Sequence, residues 1–171
     1  MAIERPTLAL ALGAALLTTP AGAAIRGDAR ASVHEPRAPA GHGAVTLSEA
    51  TSRVDPSATR LGDVIPLLRD DAAAALAAID WSPLRLSRRY AVSATVVRLT
   101  TTRTGARSLA SACTVSAAVR ELDTGNLLFI VEGRARAEDS VTDAARAERD
   151  ALRAAVQGAV AAVPDGLRRS R

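Results

Sequence analysis

The sequence predicts an α+β domain, a two-layer α-β-β-β-α sandwich in which an antiparallel three-stranded meander packs against two helices. Three observations predict it. Apolar residues recur at helical spacing from Ile65 to Ile79 and again from Leu152 to Val163. Three stretches between them alternate with period two. The connections joining those stretches are short and rich in turn residues, which makes both pairs antiparallel hairpins. Such a meander has one apolar face to cover, and the two flanking amphipathic helices are the available covers.

The elements follow in order. Residues 1–23 have the layout of a secretory signal peptide: the polar start "MAIERP", the uninterrupted apolar run "TLALALGAALL" at Thr7 to Leu17, then Pro20 and the small cluster Ala21-Gly22-Ala23, with cleavage expected after Ala23. A run of that length is short of the roughly 20 residues a transmembrane helix needs. A secreted or periplasmic location is expected. Residues 24–60 read as a disordered tether, because "RGDARASVHEPRAPAGHGAV" is rich in Gly, Pro, Ala and charge and shows neither hydrophobic period. The domain proper is expected over 61–166, followed by a basic tail at 167–171.

Within the domain, Asp63 is placed to cap a helix over 64–80, with Pro66 tolerated in its first turn. Ile65, Leu68, Ala72, Ala75, Leu76 and Ile79 form its apolar stripe, Arg69, Asp70 and Asp71 its solvated face, and Trp81-Ser82-Pro83 its stop. "PLRLS" at 83–87 is a candidate for a short fourth strand. In the first strand Tyr90, Val92, Ala94 and Val96 share a face, while Val97 and Leu99 switch parity and point to a bulge or a partly covered second face. The second strand, about 109–121, turns Leu109, Cys113, Val115, Ala117 and Val119 inward. The third has the cleanest alternation: Leu127, Phe129, Val131, Gly133, Ala135 and Ala137 on one side, Glu132, Arg134, Arg136 and Glu138 on the other. Ser140 with Asp143 resembles a capping box at the start of the second helix, whose stripe of Leu152, Ala155, Val156, Ala159 and Val163 ends at Pro164-Asp165-Gly166.

Composition narrows the function. The 171-residue chain is 48% hydrophobic, but much of that is alanine, and Trp81, Tyr90 and Phe129 are its only aromatics. The core is therefore shallow, gaining little per residue from burial at roughly 25 cal/mol per Å². All 22 basic residues are arginine, a codon signal of a G- and C-rich genome, and interleaved Asp and Glu reduce the formal net charge to +4. Cys113 is the single cysteine and sits on an inward strand face, so it reads as a core residue. His34 and His42 lie in the tether without further ligands, so no metal site is expected. No phosphate-cradling loop, nucleotide fingerprint or metal-ligand spacing occurs, and a Ser-His-Asp arrangement would need a histidine from the tether. The expectation is a noncatalytic protein without a cofactor.

Two binding surfaces remain as candidates. The outer sheet face carries small residues, with Leu128 and Ile130 as apolar exceptions beside Thr95, Thr114 and Ser116; a flat face of this kind accepts another protein or a second copy. The alternative is an anion-binding module built on Arg85, Arg88, Arg89, Arg98 and Arg103. Without interleaved aromatics nucleic acid is not the expected target; anionic lipid or a cell-wall polymer is, with membrane contact at most peripheral.

The order of a helix, "RRYAVSATVVRL", "CTVSAAVRELDTGNLLFIVEGRARAE" and an alanine-rich helix resembles the α/β domain of exported bacterial envelope proteins. These include the curli-secretion and penicillin-binding-protein-activator lipoproteins and the amino-terminal domain of the Tol system's β-propeller protein. The resemblance covers roughly residues 63–166 and centres on the strand ending in "V.EL.TG". It implies a noncatalytic accessory domain that binds an envelope protein or associates with itself, and it implies no catalytic residue.

Overall fold

Strand β1 (Val45–Ser52) lies inside the segment expected to be a tether, and it is a full member of the sheet. The computed structural model describes residues 44–170. The tether reading is corrected over 45–52; the signal peptide 1–23, the histidines and residues 24–43 lie outside the described residues. The strand was hidden by a break in its own period. Val45 and Leu47 point inward, a bulge falls between Leu47 and Glu49, and Ala50 is the next inward residue. An irregularity of this kind removes the alternation by which a short strand is recognised.

β1 pairs in parallel with β2 (Tyr90–Arg103), and β2, β3 (Ser108–Glu121) and β4 (Leu127–Ser140) follow as antiparallel neighbours. The sheet is thus four-stranded and mixed, in the order β1-β2-β3-β4, rather than a three-stranded meander. Parallel neighbours need a crossover, and helix α1 (Ile65–Ala77) supplies it. The α+β class stands. The candidate strand at 83–87 does not form: Ser82–Leu84 is a 3-10 turn that ends in the left-handed region at Arg85.

Local chemistry explains the helix ends. The Asp63 carboxylate accepts the Ile65 backbone N–H at 2.9 Å, and Pro66 occupies the first turn. At the far end the Trp81 indole N–H donates to the Leu76 carbonyl at 3.2 Å. Asp71, read as part of a solvated face, instead lies 3.5 Å from Arg153 of α2 (Ala144–Ala161), and so joins the two helices. Ser140 and Asp143 do meet, side chain to side chain, ahead of α2. Hydrogen bonds from Ser140 and then Thr142 hold the Asp143 carboxyl below the usual range.

The inward residues Val92, Val96, Val115 and Val119 are buried in one core cluster with Leu68 of α1 and Leu152 of α2. α2 sits on β3 and β4, and α1 sits on β1 and against α2. The seat of α2 is Gly133. A Cβ there would lie 1.9 Å from the Ala155 carbonyl oxygen and 2.4 Å from the Ala159 nitrogen, so helix backbone rests on strand backbone. The expected stop at Pro164 is a joint: Pro164 opens a further helix, α3 (Val163–Arg169), whose Val163 and Leu167 are buried. Leu167, placed in a basic tail by the sequence, is a core residue. The Phe129 ring packs on Gly166, where an added Cβ would meet it at 2.3 Å.

Two buried groups carry chemistry. Glu148 of α2 accepts from the Arg60 backbone N–H at 2.7 Å and from the Thr101 hydroxyl at 2.8 Å, and Thr101 in turn meets Ser111 at 2.8 Å. Cys113 is buried, and burial pushes its thiol up to about 12. Because the thiolate is the nucleophile, the native protein is expected to leave a disulfide reagent unreacted at pH 8 and to release one equivalent of thiol in guanidinium. Rapid reaction of the native protein would show that the β3 face is open.

Candidate interaction surface

With both helices on one face, no described element covers the other. Its side chains form rows across the strands. Thr51, Thr95, Ser116 and Glu132 make one; Glu49, Ser93, Ala118 and Ile130 the next; Arg98, Thr114 and Arg134 lie on the other side of the first. At about 4.8 Å between strands a four-residue row spans roughly 14 Å. The hydroxyls interlock: Thr51 and Thr95 meet at 2.8 Å, and Ser48 and Ser93 at 3.2 Å. Thr95, Ser116 and Thr114, all half-buried, are therefore brought together as the sequence suggested.

Leu128 is not among them. The register shifts between Val119 and Arg120, so that Arg120 faces Leu127. The shift turns Leu128 toward the core side, where it packs half-buried against the core cluster, and turns Leu127 outward. The apolar exceptions on the outer face are consequently Ile130, 57% exposed, and Leu127, 46% exposed. Leu127, assigned to the inward set by alternation alone, is the site residue that sequence reasoning missed. Thr51 and Glu49 were missed with their strand. The charged edge is self-neutralised, with Arg134 on Glu132 at 2.7 Å and Arg136 on Glu138 at 2.8 Å.

The five arginines of the anion-binding alternative do not form one surface. Arg85, Arg88 and Arg89 precede β2, whereas Arg98 and Arg103 lie in its second half; at about 3.3 Å per residue, Arg89 and Arg103 are some 45 Å apart along the strand. Arg88 grips the buried Glu121 through both carboxylate oxygens at 2.9 and 3.0 Å, and Arg89 pairs with Asp123 at 2.6 Å. Arg103 donates to the Ala106 carbonyl. Arg85 differs from these. Its backbone stands at φ 42° and ψ 51°, the one non-glycine residue at positive φ among those described, a conformation that costs about 1–3 kcal/mol.

Among the described residues no group of three or more His, Cys, Asp or Glu is placed to hold a metal, and no helix is long and apolar enough to cross a membrane.

No family model and no curated protein matches the sequence. Solved structures do show likeness. They include protein XCC0632 from Xanthomonas campestris, at a TM-score of 0.48 and 11% identity, over 73% of this chain and 85% of that one. A candidate lipoprotein from Caulobacter crescentus CB15 follows at 0.43 and 15%, over 74% and 90%. The PelC dodecamer from Paraburkholderia phytofirmans stands at 0.37 and 16%, over 71% and 85%. These neighbours are bacterial and include lipoproteins, but the curli-secretion, penicillin-binding-protein-activator and Tol families are not among them. Similarity at this level fixes neither family nor activity.

Proposed function

We propose that this chain is a noncatalytic accessory domain, exported to a bacterial envelope, that binds another protein or a second copy of itself through the outer face of its sheet. One observation carries the reading: α1 and α2 share one side of the sheet, and the side left open sets Ile130 and Leu127 beside a flat strip of Thr51, Thr95, Ser116 and Ser93. A monomer's outward strand positions ordinarily carry polar residues, and apolar ones among small hydroxyls form a surface another protein can desolvate at little cost. The apolar run at Thr7 to Leu17 supports export.

Ile130→Lys combined with Leu127→Lys tests it. Both side chains are already exposed, so circular dichroism and the melting temperature are expected to stay near those of the parent. Association is expected to be lost, since two lysines would enter the interface without counter-charges. Sedimentation of the purified protein reads self-association; capture from envelope extract of the native source, with the variant as control, reads a partner. A folded variant that associates as well as the parent would remove this face.

A further inference from the structure

A second surface lies on the helical side, between β1 and α1. There a groove of about 770 Å³ is walled by Leu47, Leu76, Ile79, Trp81 and Leu86, with Arg85 as the only charged lining residue among those described. That volume falls within the roughly 300–1,000 Å³ of small-molecule sites. Arg85 also lines a second cavity of about 390 Å³, which Ser87, Arg88, Tyr90, Glu121 and Ser170 make polar. An apolar trough and a polar pocket thus share one residue, and that residue is the left-handed Arg85. Arg88 is committed to Glu121, whereas no carboxylate among the described residues lies within ion-pair distance of Arg85.

We propose that this groove binds a single-chain anionic amphiphile, with the alkyl chain along Leu47, Leu76 and Trp81 and the anionic head on the Arg85 guanidinium. The charge pattern selects the ligand: the groove itself has one cation, Arg85, and otherwise apolar or small hydroxyl walls, while in the adjoining pocket the Glu121 carboxylate is already held by Arg88. An extended peptide added to the open edge of β1 is the competing occupant. It is disfavoured because the bulge after Leu47 leaves only Val45–Leu47 in regular register beside the groove. The site is separate from the outer sheet face, so either assignment can fail alone.

Trp81 is the only tryptophan and lines the groove, which provides a local reporter. The full chain is titrated, below micellar concentrations, with dodecanoate brominated at its terminal carbon, since bromine quenches an indole it touches. Saturable quenching of Trp81 is expected. The octanoate analogue should bind about two orders of magnitude more weakly, following the loss of four buried methylenes. A dodecylammonium analogue should be at least about tenfold weaker, and Arg85→Gln should weaken the carboxylate about tenfold while sparing brominated dodecanol. Ala77→Phe, at an exposed position on the groove wall, should abolish quenching by both without altering the circular dichroism spectrum. No quenching, quenching that survives Ala77→Phe, or equal affinity for carboxylate, alcohol and ammonium would overturn the proposal. So would carboxylate affinity unchanged by Arg85→Gln.

Discussion

Gly133→Ala is expected to be among the most damaging substitutions this chain can receive, although it adds one carbon. The new Cβ would stand 1.9 Å from the Ala155 carbonyl oxygen and 2.4 Å from the Ala159 nitrogen. Neither neighbour is a flexible side chain that can swing away; both are backbone of α2. The helix must lift off β4, and in doing so it exposes Leu152, Ala155 and Val156, which are buried under it. Overpacking ordinarily costs about 1–3 kcal/mol, and a clash with backbone lies at or above the top of that range. Urea denaturation followed by circular dichroism should show a loss of about 3 kcal/mol or more, or no folded baseline. An unchanged midpoint would mean that α2 is not seated on Gly133.

Glu148→Ala is expected to cost about 3 kcal/mol, for a different reason. Its carboxylate accepts from Arg60 in the β1–α1 connection and from Thr101 on β2, so one buried anion ties three parts of the chain together. Removing it leaves the Arg60 N–H and the Thr101 hydroxyl, in part-buried hydrogen bonds, without their acceptor, and hydrogen bonds to charged groups contribute about 1.5–3 kcal/mol each. Glu148→Gln keeps the side chain's volume and one carbonyl acceptor, and should recover more than half of the loss in the same urea titration. Equal losses in the two variants would mean that shape, not hydrogen bonding, is what α2 needs at this position.

Much of this architecture is legible in the sequence because its inward residues keep a regular period. Tyr90, Val92, Ala94 and Val96, and likewise Cys113, Val115, Ala117 and Val119, point where alternation puts them. The bulge suggested by the parity switch near Val97 is present between Val96 and Arg98, and it returns Leu99 to the core. What alternation could not reveal were the irregularities without an apolar marker. The bulge in β1 concealed a strand, and the shift at Arg120 exchanged Leu127 with Leu128 on the candidate face. Pro164 misled in another way: a residue that cannot continue a helix is well suited to begin one, so a stop signal and a joint are written alike. The five arginines of the anion-binding alternative are spread along a long strand, since closeness in sequence says little about distance along extended backbone.

The parallel pairing of β1 with β2 has a consequence for the order in which the chain can assemble. Hairpins β2–β3 and β3–β4 join neighbours in sequence, and local pairings form fast. β1 finds its partner some 44 residues away, as the Thr51–Thr95 contact shows, and only after α1 has crossed over. In a chain synthesised from its amino terminus, the first of the described strands to exist therefore has to wait for its partner, which follows the α1 crossover. Until β2 has formed, Val45, Leu47 and Ala50 have no sheet to join, and the wall that β1 lends to the groove with α1 is completed only once that parallel pairing is made.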